Sequence, residues 1–452
     1  MTRHISASRH DWEYWYSIVA LLFLSNALHP FLSELIGIKI ETYGDSNPLN
    51  LLVSIILYLI AGLLILKSPG NTLKLLQQNP FTVALLLLPL VSEFWSVDPG
   101  TTFRRAAAYT LTGVFCVYIA GRLTPEQFLK RLMFIVLIGG VASLLYAVVM
   151  PQFAITPGGM NAGTWRGVYG QKNDLGRIST IALICAYYFR PANRTETFYR
   201  YLTTIIFLFL LVASQSRTSW LIVVAFYVGV PLLRVMRDKR LTLSLRLFIA
   251  FSCAVTLGLV ALASSEEILA ALGRDDTFSG RETLWRAVTT IVNERFPVLG
   301  AGYGAFFTNN GGGQDLDAYI GYWVGRPDQA HSGYLNVRAD LGAVGLVVLL
   351  VFLAITSAQL IRLILSRPNQ SVWPAFGGLM VFFLINNYTE TVAFKHSDIS
   401  WAIVVIMAFY AGSQRQKAVH PVKLTPKDIR YRKLALRPIS IAPIHGSIST
   451  DS

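Results

Sequence analysis

Charge is the scarcest commodity in this sequence. Asp, Glu, Lys and Arg together make up 14% of its 452 residues, whereas 53% are apolar. That balance excludes an ordinary soluble domain, which carries about a quarter charged residues. Cysteine is nearly absent. Cys116, Cys185 and Cys253 all fall within apolar stretches and show no metal-ligand spacing, which excludes a disulfide scaffold and a zinc site and leaves them as packing residues. Acidic residues are fewer than basic ones, 25 against 39, for a formal net charge of +14. No internal repeat is visible.

What the chain has instead is apolar runs of about 20 residues, the length that crosses a hydrocarbon core of ~30 Å. Twelve are read: 14–37, 50–67, 80–95, 106–121, 131–150, 174–190, 200–215, 218–236, 245–264, 337–362, 372–388 and 398–413. The expected fold is therefore an all-α polytopic membrane protein of about twelve transmembrane helices. It divides into nine spans over 1–264, a large and partly helical loop over 265–332, three spans over 333–413 and a basic tail over 414–452. The first run is too long for a signal-peptide core and has no clear small-residue cleavage site, so it reads as an uncleaved span.

Alternate connections are basic, and with the two ends of the chain they collect 25 of the 39 Lys and Arg residues on one side. By the positive-inside rule that side is cytoplasmic, as are both termini. Together with attraction to anionic headgroups, the bias accounts for the positive charge without nucleic acid. Residues 200–236 lie between two such basic clusters and would make a helix roughly 55 Å long, too long for one crossing. The chain must turn within its only polar interruption, Ser214-Gln215-Ser216-Arg217-Thr218-Ser219. Arg217 then sits at the outer boundary, where it either snorkels and caps the preceding helix or grips an anion.

The remaining unusual polar residues also sort to the outer side. Residues 164–177, TWRGVYGQKNDLGR, hold glycines that permit close backbone approach and the donors Arg166, Lys172, Asn173 and Arg177. In the loop, Ser279-Gly280-Arg281-Glu282 fits a capping box opening a helix to about Arg295, before Pro297. Trp285, Val288 and Val292 share one stripe of that helix, with Arg281 at its head, so Arg281 either caps a neighbour or faces a site. Arg286 instead lies four residues from Glu282 on the polar face, as a solvated ion pair. Residues 299–306, LGAGYGAF, read as a tight turn: no strand precedes them, as a dinucleotide loop requires. Asp315-Leu316-Asp317 is a chance acid pair beside Gly311-Gly312-Gly313, read as a mobile surface loop. Neither a cofactor nor a metal is expected. At the re-entry, 330–342, AHSGYLNVRADLG, a helix from His331 would put Arg338 on the same face, and an imidazole there suits proton transfer near neutral pH.

Distributed over these places, the sequence resembles the bacterial O-antigen ligase and polymerase superfamily, and within it the exopolysaccharide-production polymerases. "WRGVYGQKNDLG" is similar to the family's lysine-asparagine segment, "SQSRTSWL" to its arginine turn, "GRETLWRAV" with "PVLGAGYGAF" to its outer helix and glycine turn, and "AHSGYLNVRADLGAVGL" to its histidine re-entry. The resemblance implies a glycosyltransferase of the bacterial inner membrane. It would move a glycan from polyprenyl (undecaprenyl) diphosphate to an acceptor at the periplasmic face, alongside other polysaccharide-assembly proteins. It further implies that Arg217 and Arg281 bind the donor diphosphate and that His331 binds or deprotonates the acceptor, with Arg166, Lys172, Asn173, Arg177 and Arg338 as further substrate contacts. A polymerase joining lipid-linked repeat units is the reading adopted. The alternatives are a ligase acting on a lipid A-core or other acceptor, and a lipid-linked oligosaccharide flippase, which the lack of a repeat and of midplane charges disfavours.

Overall fold

The computed structural model describes residues 7–27, 48–67, 69–158, 161–237, 242, 278–319 and 327–419. The ninth expected span, Cys253 and the tail beyond 419 lie outside these residues. Among the described residues the fold is all helical, with a single isolated β-bridge between Ile155 and Trp165.

In chain order the helices of 10 residues or more among the described residues are α1 (Ala7–Leu24), α2 (Pro48–Leu66), α3 (Pro69–Gln78), α4 (Pro80–Val91), α5 (Pro99–Arg122), α6 (Pro125–Val149), α7 (Lys172–Tyr188), α8 (Arg194–Ser214), α9 (Arg217–Arg237), α10 (Phe278–Arg295), α11 (Gly333–Ser366), α12 (Val372–Thr389) and α13 (Ile399–Val419). Helices α2 to α6 each open on a proline, which fits the first helical position because its missing N–H would have no partner there. Asp98 caps α5 by accepting from Thr101 N, and Thr124 with Gln127 forms a capping box on α6.

By length and hydropathy α6, α8 and α11 can each cross a membrane unaided, and α2 with α3 forms a pair bent by 100°. α1, α4, α9 and α13 contain shorter apolar stretches. Helix α13 is buried on every side over residues 399–412, the mark of a central helix whose sequence is apolar all round. Trp401 on it packs among Phe352, Phe383 and Phe394, with ring centroids 5.4 to 5.9 Å apart. Large aliphatic side chains such as Leu63, Leu66, Ile205 and Val148 stay exposed, as a lipid-facing surface requires.

Two groups of contacts mark the two ends of this bundle. At the basic end Arg122 donates to Leu64 O, Tyr410 to Leu123 O and Arg190 to Asn369 O, and Lys130 pairs with Glu196. At the other end lie the turn after α8, the start of α7, helix α10, and the α12–α13 connection. The turn after α8 is made where the sequence demanded it: Gln215 adopts a left-handed φ of 52° and α9 starts at Arg217. Residues 299–306 form the expected turn, with Gly300, Gly302 and Gly304 at positive φ.

Four expectations need correction. The first helix does not run over 14–37: it starts at Ala7, ends at Leu24 and is followed by Asn26 at φ 62°, a conformation asparagine tolerates. Gly311, Gly312 and Gly313 are buried rather than on a mobile loop, because any side chain at Gly311 or Gly313 would strike the carbonyls of residues 305–308. The helix after the loop starts at Gly333, not at His331, whose φ is 49°, so His331 and Arg338 do not share a helical face. Finally, α11 is kinked at Gly342 (φ 66°), which sets its first nine residues apart from the apolar shaft.

Candidate functional site

Glu390, the residue that ends α12, draws together three segments distant in sequence. Its Oε1 accepts Nδ2 of Asn173 at 2.8 Å and Nη2 of Arg281 at 3.1 Å, and its Oε2 lies 4.0 Å from Nδ1 of His331. Arg281 also donates from Nη1 to the carbonyl of Thr389 at 2.6 Å, the kind of helix-end carbonyl that lacks an intrahelical partner. The backbone joins in: Gly333 N donates to Glu390 O at 3.1 Å. Burial alone would push the Glu390 carboxyl up, but His331 and Arg281 outweigh it and hold the group below the usual glutamate range. Glu390 is therefore an anion that orients one amide and one guanidinium and lies 4.0 Å from the imidazole of His331, whose buried Nδ1 has no hydrogen-bond partner among the described residues.

The helices supply geometry as well as side chains. α7, α9 and α11 all begin at this end, and Arg281 stands in the first turn of α10. Lys172 and Arg217 are the first residues of α7 and α9, so their positive charges lie against the positive end of a helix dipole. That arrangement is unfavourable for the fold and favourable for an anion. Arg217 is positioned by its neighbour, because Ser216 and Ser219 pack so closely on Gly176 that no side chain fits there. The start of α9 is thereby held against the first turns of α7, near Lys172 and Asn173.

Other expected contacts are committed elsewhere. Arg177 is buried and bonded to Asp174 and Asp398, each at 2.9 Å; Asp398 is fully buried and also caps α13 through Ser400 N and Trp401 N. Arg177 thus locks α7 to the α12–α13 connection. Arg166 donates from Nε to Phe153 O at 2.5 Å, folding the preceding loop on itself. Arg338 reaches Asn293 on α10 at 2.6 Å, away from His331. On α10 the two arginines part as expected: Arg281 turns inward, while Arg286 pairs with Glu282 at 3.2 Å in solvent, with both side chains about 70% exposed. Asp315 pairs with Arg295, and among the described residues no three His, Cys, Asp or Glu side chains could hold a metal ion.

Sequence reasoning missed Glu390 and its whole connection to Asp398. The signal was present: no acidic residue occurs between Asp340 and Glu390, after which 390–398, ETVAFKHSD, is abruptly polar. Within it His396 is pushed down to about 4 by burial, then by Arg105 and Lys395, so it stays uncharged at neutral pH.

Comparison with known proteins bears on this constellation. Residues 202–350 match the family model described as O-antigen ligase. Over that segment the chain is similar to the O-antigen ligases. The matched segment holds Arg217, Arg281, His331 and Arg338; Lys172, Asn173 and Glu390 lie outside it. Over 340 residues, 70% of this chain and 72% of the relative, the sequence is 25% identical to the exopolysaccharide production protein ExoQ of Rhizobium meliloti (strain 1021). The O-antigen ligase match and the apolar helices together support a bacterial membrane protein.

Proposed function

We propose that the protein is a membrane glycosyltransferase of bacterial surface-polysaccharide biosynthesis. In this reading it polymerises oligosaccharide repeat units carried on polyprenyl diphosphate, at the periplasmic face of the inner membrane. The observation that carries the proposal is the convergence on Glu390 of Arg281, Asn173 and His331, beside helix starts bearing Lys172 and Arg217. A guanidinium with two of its five N–H groups engaged by Thr389 and Glu390 is preoriented and still has donors for phosphate oxygens.

The chemistry follows from that arrangement. An acceptor hydroxyl oxygen forms a bond to the anomeric carbon, and the bond from that carbon to the diphosphate oxygen breaks. The diphosphate leaves with the electron pair, and Arg217, Arg281 and Lys172 stabilise the charge it gains. His331 takes the acceptor's proton, and the Glu390 carboxylate 4.0 Å from Nδ1 stabilises the imidazolium that forms. Likeness to ExoQ over most of the chain supports the exopolysaccharide setting, and the outer-side position rests on the distribution of basic loops.

Deleting the gene tests the acceptor. Single repeat units accumulating on polyprenyl diphosphate are the expected product. Long polymer stranded on that lipid would make the protein a ligase, and units trapped facing the cytoplasm would make it a flippase.

A further inference from the structure

A groove of about 400 Å³ opens between α2, α3, α4 and α5, toward the basic end of the bundle. Eight aliphatic side chains, two threonines and two glycines line it, with no charged group among them. On α5 it follows one stripe from Thr110 to Val117, roughly 10 Å along the helix axis. A volume within the ~300–1,000 Å³ range of ligand sites, walled so largely by hydrocarbon, suits an apolar chain rather than water.

Two observations bear on which chain. The first is Gly62, in the interior of α2, where glycine weakens a helix. A side chain at Gly62 would meet no atom within 4 Å, whereas one at Gly113 on α5 would press on Leu86 at 3.0 Å. No protein group packs on Gly62, so the space above it is left to something else. The second observation is the charge at the groove's basic end. Leu66 lines the groove and is followed directly by the exposed Lys67, whose Nζ lies 5.9 Å over the ring of Trp12. Exposed tryptophans such as Trp12 and Trp15 belong at headgroup depth, so the groove ends at that depth. There α3, bent 100° from α2, contributes Thr72 and Leu76 to the lining and carries the exposed Lys74. Lys67 and Lys74 are the only charged residues from Ser46 to Ser92. An apolar slot that ends among cations at headgroup depth complements a lipid with a negative head. In the proposed reaction the polyprenyl diphosphate is held at the opposite end of the bundle, which leaves the groove to a lipid of the leaflet at the basic end.

We infer that the groove binds an anionic glycerophospholipid, with one acyl chain lying along Gly62 and the α5 stripe, its phosphate at Lys67, and Lys74 adding to the attraction.

The test uses the full-length protein, delipidated in detergent and titrated by native mass spectrometry with phosphatidylglycerol, phosphatidylcholine and undecaprenyl phosphate. One phosphatidylglycerol should bind saturably and about fivefold more tightly than phosphatidylcholine, the worth of a lysine beside an anionic headgroup. Gly62→Leu, whose Cβ meets no protein atom, should weaken both phospholipids about tenfold by displacing chain from the groove, with the lipid-free unfolding temperature unchanged or raised. Lys67→Gln combined with Lys74→Gln should erase the preference for phosphatidylglycerol and leave phosphatidylcholine binding as it was. A preference that survives the double lysine variant overturns the inference, and so does phospholipid binding indifferent to Gly62→Leu. Undecaprenyl phosphate that displaces phosphatidylglycerol at equal concentration overturns it in favour of a polyprenyl chain.

Discussion

The two ends of the bundle use positive charge in opposite ways. At the basic end Arg122 ends α5 and donates to the helix carbonyl of Leu64 in the last turn of α2, and Arg190 donates to Asn369 O in the connection between α11 and α12. The starts of α6 and α8 at that end each carry an acid in the first turn, Glu126 and Glu196. Charge and dipole agree there, and the fold gains. At the other end Lys172 and Arg217 stand on helix starts, where charge and dipole conflict. α9, α10 and α11 have no acid in their first turns, and the Asp174 of α7 pairs with Arg177. The starts of α5 and α13 at that end are capped by Asp98 and Asp398, so the conflict is confined to the starts of α7 and α9.

The contrast can be broken most forcefully at Arg177, a buried cation of the site end that serves the fold. Arg177→Ala leaves Asp174 and the buried Asp398 uncompensated and should cost about 3 kcal/mol or more, seen as a lowered unfolding temperature in detergent. Adding Asp398→Asn should recover part of the loss; full stability of Arg177→Ala would return that residue to the list of substrate contacts.

Next in size is the comparison within α10. Arg281→Ala should lower glycan transfer about a hundredfold at matched abundance, as loss of one preoriented donor to a leaving group does. Arg286→Ala should change transfer by less than about twofold, because its exposed pair with Glu282 contributes little. Equal losses in the two variants would erase the distinction between the inward and outward faces of that helix.

The smallest effect belongs to the basic end. Lys130→Ala removes a pair whose lysine is mostly exposed and should shift stability by less than about 1 kcal/mol without altering transfer. A larger activity loss there would show that the two ends do not divide the work as described.

Local rules made much of this visible in the sequence. The polar break at 214–219 had to be a turn because a bilayer limits helix length, and Arg281 had to face inward because it shares a stripe with Val288 and Val292. Glu390 could not be found that way. Its importance comes from partners 217 and 109 residues away, Asn173 and Arg281, which no periodicity connects. The same holds for Arg177, read as a substrate contact because its buried counter-ion Asp398 lies 221 residues further on. The misplaced helix start at His331 has a different origin, because its left-handed backbone is one that residue type alone does not announce.

The nine residues from Glu390 to Asp398 carry a consequence for how such proteins can diverge. The segment starts with the anion that orients Arg281 and Asn173, and it ends with the buried cap of α13. Between them Phe394 and Ser397 take left-handed turns, and the Phe394 carbonyl is held by the Tyr303 hydroxyl at 2.5 Å. Inserting or deleting one residue here would move either the reacting groups or the lock on the central helix.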